Sequence, residues 1–415
     1  MIGEIIAIGD ELTSGRIMNT TSGYAARKLF DAGHTIHAMS TIGDSPELIG
    51  QALVQAIGRV DFIIVTGGLG STDDDITNEA VSQALNRPTM PDLATLAWIR
   101  EHLSSRKISQ HNPLEKLAWL PGGAEALEPE SRVAGYQLVH DNTPIFFLPG
   151  VPEEMKDLMD RIVLPKLMAW QEGSALQTLQ RIYKVFGLAE SEINRRIKKS
   201  NLPPQIKIGY YPVYPDVHLS IMLRTTQGQA GGELFESACE QLEQTLGDAV
   251  YGREGEELEA LVGEQLLQAK LTLGVAESCT GGLIAHRITR IPGSSRYFLG
   301  GAVAYANELK EKLLGVQSTT LERCGAVSGE TAEAMAVGIR QRCDAGIGLS
   351  VTGIAGPDGG TEDKPVGTVF IGISSREGSQ IGKFSFPGNR HRIQSSAAQA
   401  GLNMLRLYLG DNFLD

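Results

Sequence analysis

The chain has 415 residues, 42% of them hydrophobic, so two or three domains with well-filled cores are expected. Its 49 acidic residues against 37 basic ones give a formal net charge of −12, which argues against general nucleic-acid binding. No unbroken apolar run is long enough to cross a bilayer, Met1 leads straight into a strand pattern with no signal peptide, and the four cysteines, Cys239, Cys279, Cys324 and Cys343, show no C-x-x-C spacing. The expectation is a cytoplasmic protein with reduced thiols, no structural zinc and no membrane association.

In chain order, the first region reads as strand over 2–8, helix over 23–32, strand over 34–40, helix over 46–57, strand over 62–65 and helix over 77–85. Residues 92–135 give no clear pattern; a strand over 145–148 and a helix over 152–168 follow. Between 174 and 252 the texture changes to strand 180–186, helix 191–199, a Pro-rich loop from 203 to 215, strand 218–224 and helix 233–246. The basic run Arg195, Arg196, Lys198 and Lys199 follows Glu190 and Glu192 and reads as a solvated helix face. Residues 252–255 read as a hinge, beyond which strands and helices alternate again. The fold class expected is α/β: two parallel-sheet domains, 1–170 and 254–415, joined by a small α+β domain, 174–252.

The third region carries the densest chemistry. Ala276-Glu277-Ser278-Cys279-Thr280-Gly281-Gly282 lies between an apolar run, 271–275, and a helical pattern, 283–291. A strand, a Ser/Thr/Gly turn and a helix expose a nucleophile at a sheet edge, and the first helical N–H groups favour an anion there. Taken alone, Ser278 and Thr280 could simply cap the helix. Further on, Gly300 to Tyr305 reads as a strand, Asn307 as an N-cap and Lys310 as a residue of the first helical turn. The helix dipole disfavours a lysine there, so an anionic ligand or a catalytic role is its compensation. A third loop, Thr352-Gly353-Ile354-Ala355-Gly356-Pro357-Asp358, also follows an apolar run, and Lys364-Pro365-Val366-Gly367 leads into the next strand. Ligands bind where such loops converge.

The first region has a second constellation. Strand 2–8 ends in Gly9-Asp10-Glu11, and strand 62–65 ends in Thr66-Gly67-Gly68-Leu69-Gly70-Ser71-Thr72-Asp73-Asp74-Asp75. Glycines with carboxylates at two strand ends suit a nucleotide with a divalent cation, because oxygen ligands hold magnesium and its phosphates. Charge stabilisation of a helix N-terminus explains Asp73 to Asp75 equally well.

These motifs bring the chain to a known family. AESCTGG, GGAVAYANELK, VSGETAEAMA, TGIAGPDGG, KPVGTVF and Phe386-Pro387-Gly388-Asn389-Arg390 resemble the nicotinamide-nucleotide amidase domain of the CinA family, from about residue 254 onward. The resemblance implies hydrolysis of the carboxamide of nicotinamide mononucleotide to the acid and ammonia, with no cofactor. Ser278 would attack the carboxamide carbon, and Lys310 or Tyr305 would accept its proton. Backbone N–H groups near Cys279 and Thr280 would form the oxyanion hole, and Arg390 would fork onto the phosphate. The three loops supply the remaining substrate contacts: Cys279, Thr280, Gly281 and Gly282; Asn307; and Thr352, Gly353, Ala355, Gly356, Lys364 and Gly367. Cys279 is an alternative nucleophile, although a small buried filler is the commoner role of such a residue.

GDEL, TGGLG-x-T-x-DD-x-T and Phe147-Leu148-Pro149-Gly150-Val151-Pro152-Glu153 resemble the same family's molybdopterin-binding-like domain, over about 1–170. In some members that domain resembles a metal-dependent ADP-ribose pyrophosphatase. The resemblance implies a nucleotide site at Gly9, Gly67, Gly68, Gly70 and Thr72, with a divalent cation such as magnesium held by Asp10, Glu11, Asp74 and Asp75. The chain departs from the family pattern at Ser71, Asn19-Thr20-Thr21, Leu117-Ala118 and Ser131-Arg132-Val133-Ala134-Gly135, all on segments expected near the nucleotide. Binding of ADP-ribose with weak or absent turnover is therefore expected. A homodimer is expected, and a non-catalytic nucleotide-binding regulator linked to competence or DNA damage is the alternative to an enzyme.

Overall fold

The computed structural model describes residues 1–103, 113–129, 131, 134–170, 177–226 and 228–413. It divides into two compact units, Met1–Leu179 with Arg224–Gly232, and Gln180–Leu223 with Glu233–Asp415. Each is a mixed α/β assembly built around sheets with parallel strands.

The first unit opens with β1 (Ile2–Ile8), α1 (Asp10–Thr13), α2 (Thr20–Asp31), β2 (Thr35–Ile42), α3 (Pro46–Ile57), β3 (Phe62–Thr66) and α4 (Thr77–Ala84). The stretch without a readable pattern contains β4 (Thr89–Pro91), α5 (Leu93–Leu103), β5 (Trp119–Pro121) and β6 (Glu125–Ala126). Then come β7 (Tyr136–His140), β8 (Thr143–Leu148), α6 (Pro152–Leu158) and α7 (Leu164–Trp170). The main sheet has the order β2-β1-β3-β8-β7-β6. Its centre is parallel: β1 pairs with β2 and β3, and β3 with β8. β3 is buried along its whole length, as a strand covered by helices on both faces must be. The sheet is not parallel throughout, because β7 folds back on β8 as an antiparallel hairpin. Asp141 and Asn142 form its turn with φ of 47° and 64°, the left-handed backbone that a two-residue hairpin requires.

The second unit begins with most of a small four-stranded sheet, β9 (Gln177–Val185), β10 (Lys207–Val213), β11 (Asp216–Thr225) and β12 (Val250–Arg253), with the helices α8 (Glu190–Lys199) and α9 (Gly228–Leu246) between its strands in sequence. The expected Pro-rich loop is β10. It tolerates Pro212 because it is the edge strand in the order β10-β11-β9-β12, where a missing N–H costs no ladder bond. The expected hinge at 252–255 begins inside a strand, since Gly252 and Arg253 pair with Lys184 and Tyr183.

The unit continues with α10 (Leu258–Gln268), β13 (Leu273–Glu277), α11 (Leu283–Thr289), β14 (Phe298–Val303), α12 (Asn307–Leu314), α13 (Ser318–Cys324) and α14 (Gly329–Arg342). It ends with β15 (Ile347–Gly353), β16 (Thr368–Ser374), β17 (Ser379–Ser385) and the 24-residue helix α15 (Arg390–Phe413). The sheet order is β14-β13-β15-β16-β17, with β13 parallel to both β14 and β15, and β16 and β17 antiparallel. In register, Glu277 stands opposite Val303 and Val351. The carboxyl ends of three parallel strands therefore lie side by side, and the loops that follow them share one edge of the sheet.

Candidate active site

Ser278 follows the last residue of β13, and its N–H donates 2.9 Å to Val351 O, which fixes it to the neighbouring strand. The chain then turns through Gly281 and Gly282 at φ of +64° and +99°, conformations that suit glycine. Glu277 holds this turn. Its buried carboxylate accepts from the N–H groups of Gly282 (3.0 Å), Ile284 (3.1 Å) and Ala285 (2.9 Å), satisfying the start of α11 in place of a side-chain cap. Ser278 is thereby freed from capping duty. Among the described residues, no backbone carbonyl accepts from the N–H groups of Cys279 and Thr280, the Cys279 N–H facing its own thiol, and the buried Thr280 hydroxyl has no partner.

Lys310 is the decisive neighbour. It is 1% exposed, and its Nζ donates 3.1 Å to Ser278 Oγ, 2.9 Å to Ala304 O and 3.1 Å to Tyr305 O. Burial holds its pKa below the ordinary lysine value. Among the described residues it has no carboxylate in ion-pair contact, so no ion pair offsets the cost of burying a charge there. As a neutral amine, Lys310 would keep both carbonyl bonds with two N–H groups and turn its lone pair on the Ser278 hydroxyl. That is the geometry of a base beside a nucleophile. β14 ends at Val303, short of Tyr305, and Asn307 is the first helical residue, with Ala306 at the cap, so Asn307 is not the N-cap expected.

Tyr305 does not join the pair. Its side chain is 58% exposed, and its hydroxyl accepts 2.7 Å from Arg390 Nη2. Arg390 Nη1 donates 2.8 Å to Gly356 O, so the first residue of α15 ties the β15–β16 loop to the β14–α12 loop. Two of the five guanidinium N–H groups are spent in this way, leaving three for an anion. Burial pushes the Cys279 thiol up to about 12, which keeps it neutral and a poor nucleophile.

Several expected substrate contacts are instead fastenings. Lys364 Nζ donates to Cys324 O (2.9 Å) and Val327 O (2.8 Å), and the Thr352 hydroxyl donates 2.7 Å to Ala326 O. Both hold the segment between α13 and α14 against the sheet. Gly353 is small because a Cβ there would lie 2.8 Å from Thr368 O, and Gly367 because one would lie 2.1 Å from Phe386 O. Ala355 is buried in the core. Gln394 escaped the sequence reading: its Nε2 donates 2.8 Å to Cys279 O from the second turn of α15. So did the role of Glu277, although it lies in the same motif as Ser278.

The first unit contains a cavity of about 520 Å³ lined by Gly9, Glu11, Gly67, Gly68, Gly70, Ser71, Asp74 and Asp75, together with Asn19, Thr21 and Leu117. Gly67 and Gly68 adopt φ of +101° and +66°, and any Cβ there would strike Ile8 O or Thr77 Oγ1 at 2.2 Å. Two of the carboxylates expected to share a metal are engaged in bracing their own loops. Asp10 accepts from the Asp44 N–H while its own N–H donates to the Asp44 carboxylate. Asp75 accepts from both the N–H and the hydroxyl of Thr72 and so braces the glycine loop. Among the described residues no three acidic, His or Cys side chains are placed to hold one ion. Asp44, which the sequence reading missed, lines the cavity; burial raises its pKa, and repulsion from Asp10, Glu11 and Asp74 adds to the rise. Arg132 and Val133 lie outside the described residues.

Residues 255–409 match the CinA C-terminal domain, residues 4–169 the "Probable molybdopterin binding domain", and residues 180–252 the damage-inducible protein CinA KH domain. A CinA-like protein of Desulfotalea psychrophila is 52% identical over 406 residues, covering 98% of each chain. A CinA-like protein of Desulfosudis oleivorans is 38% identical over 382 residues, covering 92% of each. The crystal structure of the competence/damage inducible protein CihA from Agrobacterium tumefaciens is 39% identical across 37% of this chain and 95% of that one, with a TM-score of 0.36.

Proposed function

The chain belongs to the CinA family, and on that premise we propose that its C-terminal domain hydrolyses the carboxamide of nicotinamide mononucleotide to nicotinate mononucleotide and ammonia. The observation that carries this reading is the buried Lys310 Nζ 3.1 Å from Ser278 Oγ. Neutral Lys310 takes the Ser278 proton as Oγ attacks the carboxamide carbon. The carbonyl oxygen becomes an oxyanion facing the N–H groups of Cys279 and Thr280. The lysine ammonium returns its proton to the nitrogen, the C–N bond breaks, and ammonia leaves an acyl ester on Ser278. Water then gives a proton to Lys310, attacks the ester, and the serine leaves as a hydroxyl. Arg390 takes the phosphate with its three remaining N–H groups. No metal or cofactor enters this scheme.

For the N-terminal domain we propose binding of ADP-ribose or a related nucleotide without efficient cleavage. The specific observation favouring binding is that Asp10 and Asp75 are committed to bracing loops around the 520 Å³ cavity. The test of the main reading is ammonia release: the purified protein incubated with nicotinamide mononucleotide should produce ammonia and nicotinate mononucleotide in equal amounts. Formation of neither would end the proposal.

A further inference from the structure

We propose that Gln394 is a positioning residue for the oxyanion donors, an assignment that rests on the amide-hydrolysis reading above. Gln394 Nε2 donates 2.8 Å to Cys279 O. That carbonyl and the Thr280 N–H belong to one planar peptide group and point in opposite directions across it. A donor that fastens the carbonyl therefore aims the N–H. It also polarises the group and makes the N–H a stronger donor.

The turn needs such a fastening. Gly281 has open space where a side chain would be, and among the described residues no backbone carbonyl accepts from the Cys279 or Thr280 N–H to orient it. Glu277 holds the helix side of the turn, at Gly282, Ile284 and Ala285. On the nucleophile side the Ser278 N–H is tied to Val351 O, and Gln394 adds the hold on the next peptide but one, between Cys279 and Thr280.

Gln394 is itself held firmly. Its neighbours Ile393 and Ala397 are buried in the core. The hairpin of the small sheet grips the same stretch of α15: Tyr214 Oη donates 2.9 Å to Arg392 O and lies 2.6 Å from Ser396 Oγ. One turn further on, Asp216 accepts from Gln399 Nε2 (2.8 Å) and from Tyr251 Oη (2.7 Å). The helix is thus fixed in register on both sides of Gln394, so a 2.8 Å bond to the catalytic turn transmits a defined direction.

The experiment compares nicotinamide mononucleotide with its thiocarbonyl analogue, whose sulfur is a weak acceptor and gains little from an oxyanion donor. Gln394→Met, close in size but without a donor, should lower kcat on the oxo substrate about tenfold or more while KM changes by less than about twofold. On the thiocarbonyl substrate the same variant should lose less than about twofold in kcat. Gln394→Glu keeps the length of the side chain and cannot donate as a carboxylate; it should behave alike and decides the matter if the Met variant misfolds. Equal losses on both substrates, or a rise in KM at unchanged kcat, would overturn the positioning role while leaving the amidase reading intact. A wild-type protein that releases no ammonia from either substrate would overturn both.

Discussion

A buried lysine without a carboxylate is unstable chemistry held in place by the rest of the fold, and Lys310 is such a residue. Its depressed pKa means that the neutral form is more populated near pH 7 than for an exposed lysine. The active state is the deprotonated one, so kcat/KM should rise with pH and level off once pH passes the folded-state pKa, at a value below the ordinary lysine range. Lys310→Met should lower kcat by about 10²- to 10⁴-fold with a smaller effect on KM and should abolish that rise. A variant retaining both rate and pH profile would remove Lys310 from the mechanism. In the proposed reaction Arg390 acts on binding. Arg390→Ala should raise KM about tenfold or more, and the phosphate-free riboside should be equally poor with wild type and variant. Equal efficiency of wild type on nucleotide and riboside would refute the phosphate contact. Ser278 was legible from its place between an apolar run and a glycine turn. The duties of Thr352 and Lys364 were not, because a loop sequence does not say whether a hydroxyl or ammonium faces a ligand or the carbonyl of another loop. Gln394 was hidden for a related reason, since a glutamine near the start of a helix is ordinary and its partner lies 115 positions earlier.

Elements carry the site by how closely they pack. α14 lies against α12 at Gly338, where a Cβ would stand 1.9 Å from Leu314 O. The same helix meets the sheet at Gly348 and Gly372, where a Cβ would reach Ala336 O at 2.1 Å and Ala332 O at 2.6 Å. No flexible side chain lies in the way to yield; backbone would have to move. Gly338→Ala should therefore shift α12, which carries Lys310, costing about 1–3 kcal/mol of stability and disturbing the Ser278 contact. Chemical denaturation and ammonia release on the same preparation check it; unchanged midpoint and rate would mean that the two helices slide apart freely. The parallel cores of both large sheets were readable because β1, β3 and β13 are mostly apolar, interrupted in β1 only by Gly3 and Glu4 and ending in β13 at Glu277. The antiparallel margins were not: β16 and β17 form a hairpin whose strands alternate weakly, and β10 contains a proline that argues against a strand until its edge position is known.

At the scale of the whole molecule, two sites of different character occupy two compact units. The second unit brings the Ser278 hydroxyl and the buried Lys310 amine together at a glycine turn, whereas the first holds a glycine-lined cavity whose Asp10 and Asp75 brace their own loops. ADP-ribose should therefore bind the first unit with little release of AMP, even with added magnesium. Robust magnesium-dependent AMP formation, lost on Asp74→Asn, would show that the departures at Ser71 and Thr21 matter less than argued. Chelator should leave amide hydrolysis unchanged. Ammonia release from nicotinamide mononucleotide by wild type and Ser278→Ala, measured side by side with their circular dichroism spectra, decides whether Ser278 performs that hydrolysis. Wild type should turn over; the alanine variant should be folded and slower by about 10³-fold or more. A folded Ser278→Ala protein that releases ammonia at the wild-type rate would contradict the account.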